Sequence, residues 1–331
     1  ECQAILDNQG EKPPKKEVID TKTPAMKKRE EARRSFTEKP FNLDELEMLS
    51  VLGDGEFGEV WLVSAEVFGK KEKFALKVQD KKDADVASVK REIAATKAFH
   101  HPFIVNLVTS YETDDSIYML LGLVSGGELW DVIHVEDEDG NWVSGLQEPQ
   151  AKFYALLIAD TLAYIHNKQY VYRDLKPENV MIDKDGYPIL VDFGFAKMIT
   201  DKTYTCCGTP NYVAPEIIWN TGHNGGVDLW ALGVLCYEMV SGEHPFFSDE
   251  MDQMALYHGI TEEDHYALPD HVSQNAVSLI DGLLTKEPSQ RLGMLANKEK
   301  DVIGHPWFSD LDLEKLRARK VKAPYIPPSK Q

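Results

Sequence analysis

The chain has 331 residues, 43% of them hydrophobic, which suffices for one large two-lobed unit or two medium domains with a full core. Its formal net charge is −19, and because residues 1–40 hold ten Lys/Arg against eight Asp/Glu, the remainder carries −21. That balance speaks against nucleic acid, whose phosphates select basic faces, and favours a basic peptide partner, although charge that only maintains solubility has the same appearance.

Residues 1–40 mix Pro with both charges and lack apolar periodicity, so they read as a flexible extension without its own core. The chain begins at Glu1 and shows no signal peptide, which sets the expectation of a piece of a longer intracellular protein, cytoplasmic with nuclear access. After Phe41 the pattern alternates. Residues 47–52, 60–66 and 73–79 predict strands, 85–99 a helix, and 104–111 and 116–123 two more strands.

Beyond Gly127 helices take over, at 149–167, 228–241 and 275–285, with short apolar strands between Val180 and Leu190. The acidic stretch 135–141 reads as a surface loop between helices, and Asp185-Gly186 as a hairpin turn. The expected fold is α+β with two lobes: a small antiparallel sheet lobe with one helix (41–122) and a larger helical lobe (123–308). No apolar run reaches the roughly 18 residues a membrane helix needs. The best candidates, 153–165 and 229–240, carry Asp160 and Glu238. Cys2, Cys206, Cys207 and Cys236 have no zinc or disulfide spacing, which fits a reducing compartment. The adjacent pair 206/207 is either redox sensitive or small packing.

Gly53, Gly55 and Gly58 form GxGxFG between two predicted strands, with Phe57 inside the motif and Val60 after it. Missing side chains there let backbone amides approach phosphate oxygens, although a tight hairpin alone could use the same glycines. Strand 73–79 carries Lys77, and the following helix carries Glu92, a cation and carboxylate that could form a phosphate clamp. Then come Tyr172-Arg173-Asp174-Leu175-Lys176-Pro177-Glu178-Asn179, Asp192-Phe193-Gly194 and Ala214-Pro215-Glu216. In order and spacing these segments resemble the eukaryotic protein kinase family from about Phe41 to Phe308.

The resemblance implies ATP as co-substrate, two Mg2+ ions held by Asn179 and Asp192, and Asp174 and Lys176 as catalytic residues. Lys176 and Thr209 imply Ser/Thr acceptors. It further implies a nucleotide cleft lined by Ala75, Leu121 as gatekeeper, Gly122, Leu123, Val124, Glu128 and Met181, and structural roles for Glu216, Arg291 and Asp228. Tyr172, the run 194–197 and Thr205-Cys206-Cys207-Gly208-Thr209-Pro210 resemble the AGC group, most of all the cyclic-nucleotide-dependent kinases. Residues 305–308 and 323–327 resemble that group's tail, here a partial one (309–331).

By that resemblance Thr205 is a phosphosite paired by Arg173 and Lys197, and Glu128, Glu178 and Glu238 read arginines upstream of the acceptor. Cys206, Pro210 and Val213 would line a pocket for the residue after it. The implied partners are proteins with basic residues and a cyclic-nucleotide-binding domain or subunit outside this chain.

Several positions depart from the family pattern. Asn211 replaces an acidic residue, Gly122 a hinge Glu, and Thr96 an apolar spine residue. The interval from Lys77 to Glu92 is a short 15 positions, and the chain ends at Gln331 without the aromatic tail motif. These leave open whether a tail segment is missing or the helix is held differently. Arg33-Arg34-Ser35-Phe36-Thr37 resembles a basophilic kinase's substrate and could visit the acidic cleft, or be a solvated linker. The rival to an enzyme is a kinase-shaped scaffold, whose usual losses, at Lys77, Asp174 or Asp192, are absent here.

Overall fold

The computed structural model describes residues 41–55, 58–137, 139–199, 201–205, 208–247 and 251–328. Phe57, Cys206 and the segment Arg33–Thr37 lie outside these. The small lobe is a five-stranded antiparallel sheet, β1 (Glu47–Gly55), β2 (Gly58–Val67), β3 (Lys70–Asp80), β4 (Leu107–Glu112) and β5 (Ser116–Gly122), in the order β1-β2-β3-β5-β4. Between β3 and β4 runs α1 (Val86–Ala98), started by the Asp85 carboxylate, which accepts the Ala87 N–H at 3.1 Å. The predicted strand at 104 starts later than expected. Ile104 makes an isolated bridge to Leu190 and the Val105 N–H donates to the Leu190 carbonyl, so this stretch is drawn into the other lobe before β4 begins.

The large lobe follows as α2 (Leu129–Ile133), β6 (His134–Glu136), β7 (Trp142–Ser144), α3 (Glu148–Asn167), β8 (Tyr170–Val171), β9 (Val180–Ile182), β10 (Pro188–Leu190) and β11 (Lys197–Met198). It ends with α4 (Pro215–Ile218), α5 (Gly226–Ser241), α6 (Gln253–Glu262), α7 (Gln274–Leu283), α8 (Glu299–Ile303) and α9 (Leu313–Arg317). Helix α5 is buried from Gly226 to Val240, so it is the axis around which α3 and α7 pack. Among the described residues no helix is long and apolar enough to cross a membrane.

The acidic stretch differs from the expected loop. Residues 134–136 and 142–144 pair as a two-stranded hairpin, β6 with β7, and between them the Asp137 carboxylate accepts the N–H groups of Asp139 and Asn141. The expected turn at 185–186 is present between β9 and β10, where Asp183 accepts the Asp185 and Tyr187 N–H groups.

The last residues return to this second hairpin. Arg319 pairs with Asp183 and lies 4.8 Å over the Tyr187 ring, and the Tyr187 hydroxyl donates to the Val321 carbonyl at 2.5 Å. Gly186 has φ +83°, and a Cβ there would lie 2.0 Å from the Tyr325 carbonyl oxygen, so only glycine admits the tail.

Candidate active site

Strand β3 delivers Lys77 into the space between the lobes, where its Nζ lies 2.8 Å from Glu92 of α1 and 3.6 Å from Asp192. Burial alone would push the lysine's pKa down, but the two carboxylates outweigh it and hold the ammonium charged. Glu92 is pushed up, first by burial. The pair therefore forms in spite of the short Lys77–Glu92 interval. A turn over 81–84 replaces any further helix, and α1 is anchored by Phe99, whose ring meets Phe193 at 5.2 Å and Tyr170 at 5.1 Å. Thr96, the polar departure, is buried and donates its hydroxyl to the Glu92 carbonyl at 2.8 Å, so it leaves no unsatisfied group in the spine.

Opposite Lys77 stands a second cluster. Asn179 Nδ2 donates to the Asp174 carboxylate at 2.7 Å and to its carbonyl at 2.8 Å, the Thr209 hydroxyl donates to Asp174 at 3.2 Å, and Lys176 Nζ reaches Thr209 at 3.0 Å. Burial raises the Asp174 pKa, with Lys176 and the hydrogen bonds opposing. With the Asn179 NH2 engaged, its amide oxygen remains as an acceptor, and Asp192 offers a carboxylate 27% exposed. Two hard oxygen donors, without a complete cage of His, Cys, Asp and Glu among the described residues, suit magnesium, which keeps water and phosphate oxygens as its other ligands.

Asp228, at the start of α5 and fully buried, braces this loop from behind. It accepts the Tyr172 N–H at 2.8 Å and the Arg173 N–H at 2.7 Å, and Arg173 takes φ +70° so that successive amides face one carboxylate. His166 bridges Asp228 and Glu299, at 2.8 Å each. Burial would lower this imidazole, but the two carboxylates prevail and raise its pKa to about 9. A folded pKa above the unfolded value contributes stability that is complete below about 6.5 and is lost as pH rises through about 9. His166→Gln should thus lower the urea midpoint at pH 6 by more than at pH 10. An equal loss at both values would contradict a buried imidazolium.

The cleft roof pairs Gly53 with Val60 and Gly55 with Gly58. A Cβ on Gly58 would stand 2.2 Å from the Val78 carbonyl oxygen, whereas one on Gly53 meets no atom of the described residues within 4 Å. Val60, Ala75, Leu121, Leu123, Val124 and Met181, the apolar residues expected to line the nucleotide cleft, are all half-buried. The Gly122 N–H is occupied by the Asn106 carbonyl at 2.9 Å.

A profile of the protein kinase domain matches residues 46–308. The chain belongs to the protein kinase family. It is 41% identical over 291 residues to "Protein kinase 2" of Dictyostelium discoideum, covering 86% of this chain and 58% of that protein. It is 37% identical over 295 residues to cAMP-dependent protein kinase type 3 of Saccharomyces cerevisiae (88% of this chain, 71% of that protein). It is 38% identical over 291 residues to the cAMP-dependent protein kinase catalytic subunit PRKX of Homo sapiens (87% and 78%). The kinase is thus of the Ser/Thr type and AGC group, and its two-lobed fold is the one expected from the sequence.

In this kinase the remaining candidate residues lie outside those two clusters. Thr205 is exposed, with Lys197 Nζ 3.2 Å from its hydroxyl, while Arg173 donates Nε to the Phe195 carbonyl and has a buried Nη1 without a partner among the described residues. Glu216 and Arg291 pair bidentately at 2.7 and 2.8 Å. Glu178 is exposed and Glu128 half-buried, and the Glu128 pKa is raised by burial and then by Asp131 and Glu178.

Glu238 differs from those two. It is buried, accepts the Tyr212 hydroxyl, and lies 3.1 Å from His134 Nε2. Pro210 is exposed and Val213 buried beside it. Sequence reading missed His166, Glu299, Tyr212 and His134. None belongs to a local motif, and the only signal is a polar side chain beside an apolar run, as at His166 after Ile165.

Proposed function

We propose that the chain transfers the γ-phosphate of ATP to Ser or Thr hydroxyls of proteins that carry arginine upstream of the acceptor. The observation that carries this reading is the pair of facing clusters, Lys77–Glu92–Asp192 against Asp174–Asn179–Lys176–Thr209. The first supplies a fixed cation for the α and β phosphates, the second a carboxylate for the incoming hydroxyl.

Asn179 and Asp192 would hold two Mg2+ ions, which supply charge neutralisation at the phosphate oxygens when bound. Asp174 orients the acceptor hydroxyl and takes its proton as the new oxygen–phosphorus bond forms. The bond from the γ-phosphorus to the bridging oxygen breaks, and the electron pair leaves on ADP. Lys176, held near Asp174 through Thr209, offsets charge on the transferring group. Glu128 and Glu178, carboxylates at the mouth of the cleft, receive arginines bidentately.

Glu238 is reserved by Tyr212 and His134, which supports a more indirect role for it, positioning the segment that carries Pro210 and Val213. Phosphate on Thr205 would meet Lys197, and Arg173, whose Nη1 has no partner among the described residues, is the second cation expected to pair with it. Residues 41–308 form the catalytic unit and 309–331 the tail. The setting is intracellular, where Mg·ATP is supplied, and control by a cyclic-nucleotide-binding domain or subunit rests on the names of the relatives.

A positional peptide library phosphorylated from Mg·ATP by the wild-type chain and by Thr205→Ala tests both parts. Expected are enrichment of Arg over Lys upstream of Ser or Thr, and the same selection at a rate at least about tenfold lower in the variant. Equal use of Lys and Arg overturns the bidentate reading. Full activity of Thr205→Ala with an unchanged melting temperature overturns the phosphosite.

A further inference from the structure

The hairpin of β6 and β7 lies between α2 and α3 and leaves Val135, Trp142 and Val143 more than half exposed. Its register pairs His134 with Ser144, Val135 with Val143, and Glu136 with Trp142. Directly opposite residues share a face, and so do residues two apart, so one face carries His134, Glu136, Trp142 and Ser144 while the valines take the other. The His134–Ser144 hydrogen bond of 2.8 Å fits that assignment.

The first face is continuous with the substrate cleft. His134 reaches Glu238, and the Trp142 ring meets Trp130 of α2 at 5.6 Å, two residues after Glu128. The hairpin is also firmly based. The Gly145 N–H donates to the Ile133 carbonyl and the Leu146 N–H to the Met239 carbonyl, and a Cβ on Gly242 would stand 2.5 Å from the Ser144 backbone. Two glycines at positive φ, Gly145 and Gly242, thus let the hairpin lie directly on the end of α5.

We infer that this face is a subsite for a further basic residue of the substrate, upstream of the arginines received by Glu128 and Glu178, with Glu136 and Trp142 taking its guanidinium. The inference rests on the proposed reading of the cleft as a basic-peptide site. Three observations support it. An exposed indole beside a carboxylate at cross-strand distance combines cation–π attraction with an ion pair. The surrounding turn is acidic, with Asp137 and Asp139, and repels any acidic occupant. The tether through His134 to Glu238 places the face beside the cleft rather than on a remote surface.

The test uses the whole chain with Mg·ATP and two peptide sets. One is a core peptide with the upstream arginines and the acceptor; the other extends it N-terminally with a single arginine scanned position by position. At one position or a narrow pair of positions the wild-type KM should fall about fivefold relative to an alanine-extended peptide, the sum of an exposed cation–π contact and an exposed ion pair. Trp142→Ala and Glu136→Gln should reduce that ratio toward one, whereas Val143→Ser, on the opposite face, should keep it. A wild-type ratio of one at every position, or a ratio unchanged in Trp142→Ala, overturns the subsite. Glu178→Gln separates the two levels. A raised KM for core and extended peptides alike sustains the cleft reading whatever happens at the hairpin, and no change in either removes the cleft reading itself.

Discussion

Replacing Asp174 by Asn is expected to lower kcat for peptide phosphorylation roughly 10²- to 10⁴-fold, the range for loss of a positioned general base. The corresponding barrier change is about 3–5 kcal/mol. The substitution keeps the side chain's size but removes its proton-accepting charge. It also disturbs a hydrogen-bond pattern in which Asp174 only accepts, from Asn179 Nδ2 and from the Thr209 hydroxyl. Only one end of the new amide accepts, so if it keeps the Asn179 bond its NH2 faces Thr209, whose hydroxyl must turn from donor to acceptor.

Because Lys77, Glu92 and Asp192 are untouched, nucleotide binding should survive, as should the melting temperature to within a few degrees. Nucleotide affinity measured by titration calorimetry and turnover measured by phosphate transfer thus separate the two functions. A variant that retains kcat within about threefold would place the proton acceptor elsewhere.

The second large effect is on stability. Glu216→Ala should cost roughly 3–5 kcal/mol, the range for removing one partner of a buried ion pair, out of a total of about 5–15 kcal/mol. Arg291 has no measurable exposure. After the substitution its guanidinium would retain the carbonyls of Thr285, Gly226 and Lys286 and its place 5.2 Å over the Trp230 ring, but no anion. The carboxylate is also what fastens α4, and with it the segment 209–214, to the junction of α5 and α7.

The double variant Glu216→Leu/Arg291→Met should be less damaging than either single one, because a buried apolar pair leaves no uncompensated charge. Urea denaturation of the three variants measures this. Single variants that lose less than about 1 kcal/mol would show that water reaches the site.

Much of the candidate site was legible because its chemistry is contiguous. Tyr172 to Asn179 and Asp192 to Gly194 each place several functional side chains within one short loop, so order along the chain already implies closeness in space. What escaped was built by contacts between distant segments. His166 meets Asp228 across 62 positions and Glu299 across 133, and nothing near His166 in sequence points to either carboxylate. Glu238 was legible as acidic but not as buried and already engaged, since Tyr212 and His134 reach it only after α5 is packed.

The β6–β7 hairpin was missed for a different reason. Acidic residues are poor strand formers, and the six residues of β6 and β7 flank a run whose charge dominates any local reading. The strands exist because Asp137 supplies turn hydrogen bonds and because both hairpin ends are fixed by α2 and α5. The five small-lobe strands, by contrast, lie where their alternation places them, with β1 ending and β3 beginning three residues beyond the expected bounds, and β4 starting late because Ile104 and Val105 are claimed by Leu190.

The long reach of the C-terminal segment has a consequence for synthesis. Asp160 sits in the middle of α3 with 2% exposure, and its guanidinium partner, Arg317, is 157 positions later. Trp307 returns to Glu148, and Arg319 to Asp183, over similar separations. A ribosome releases the chain from its N-terminus, so α3 can dock on α5 while Asp160 still lacks that guanidinium. Completion of the large lobe therefore waits for Arg317 to emerge, and a chain interrupted between α5 and Arg317 holds a central helix that buries a carboxylate without its arginine.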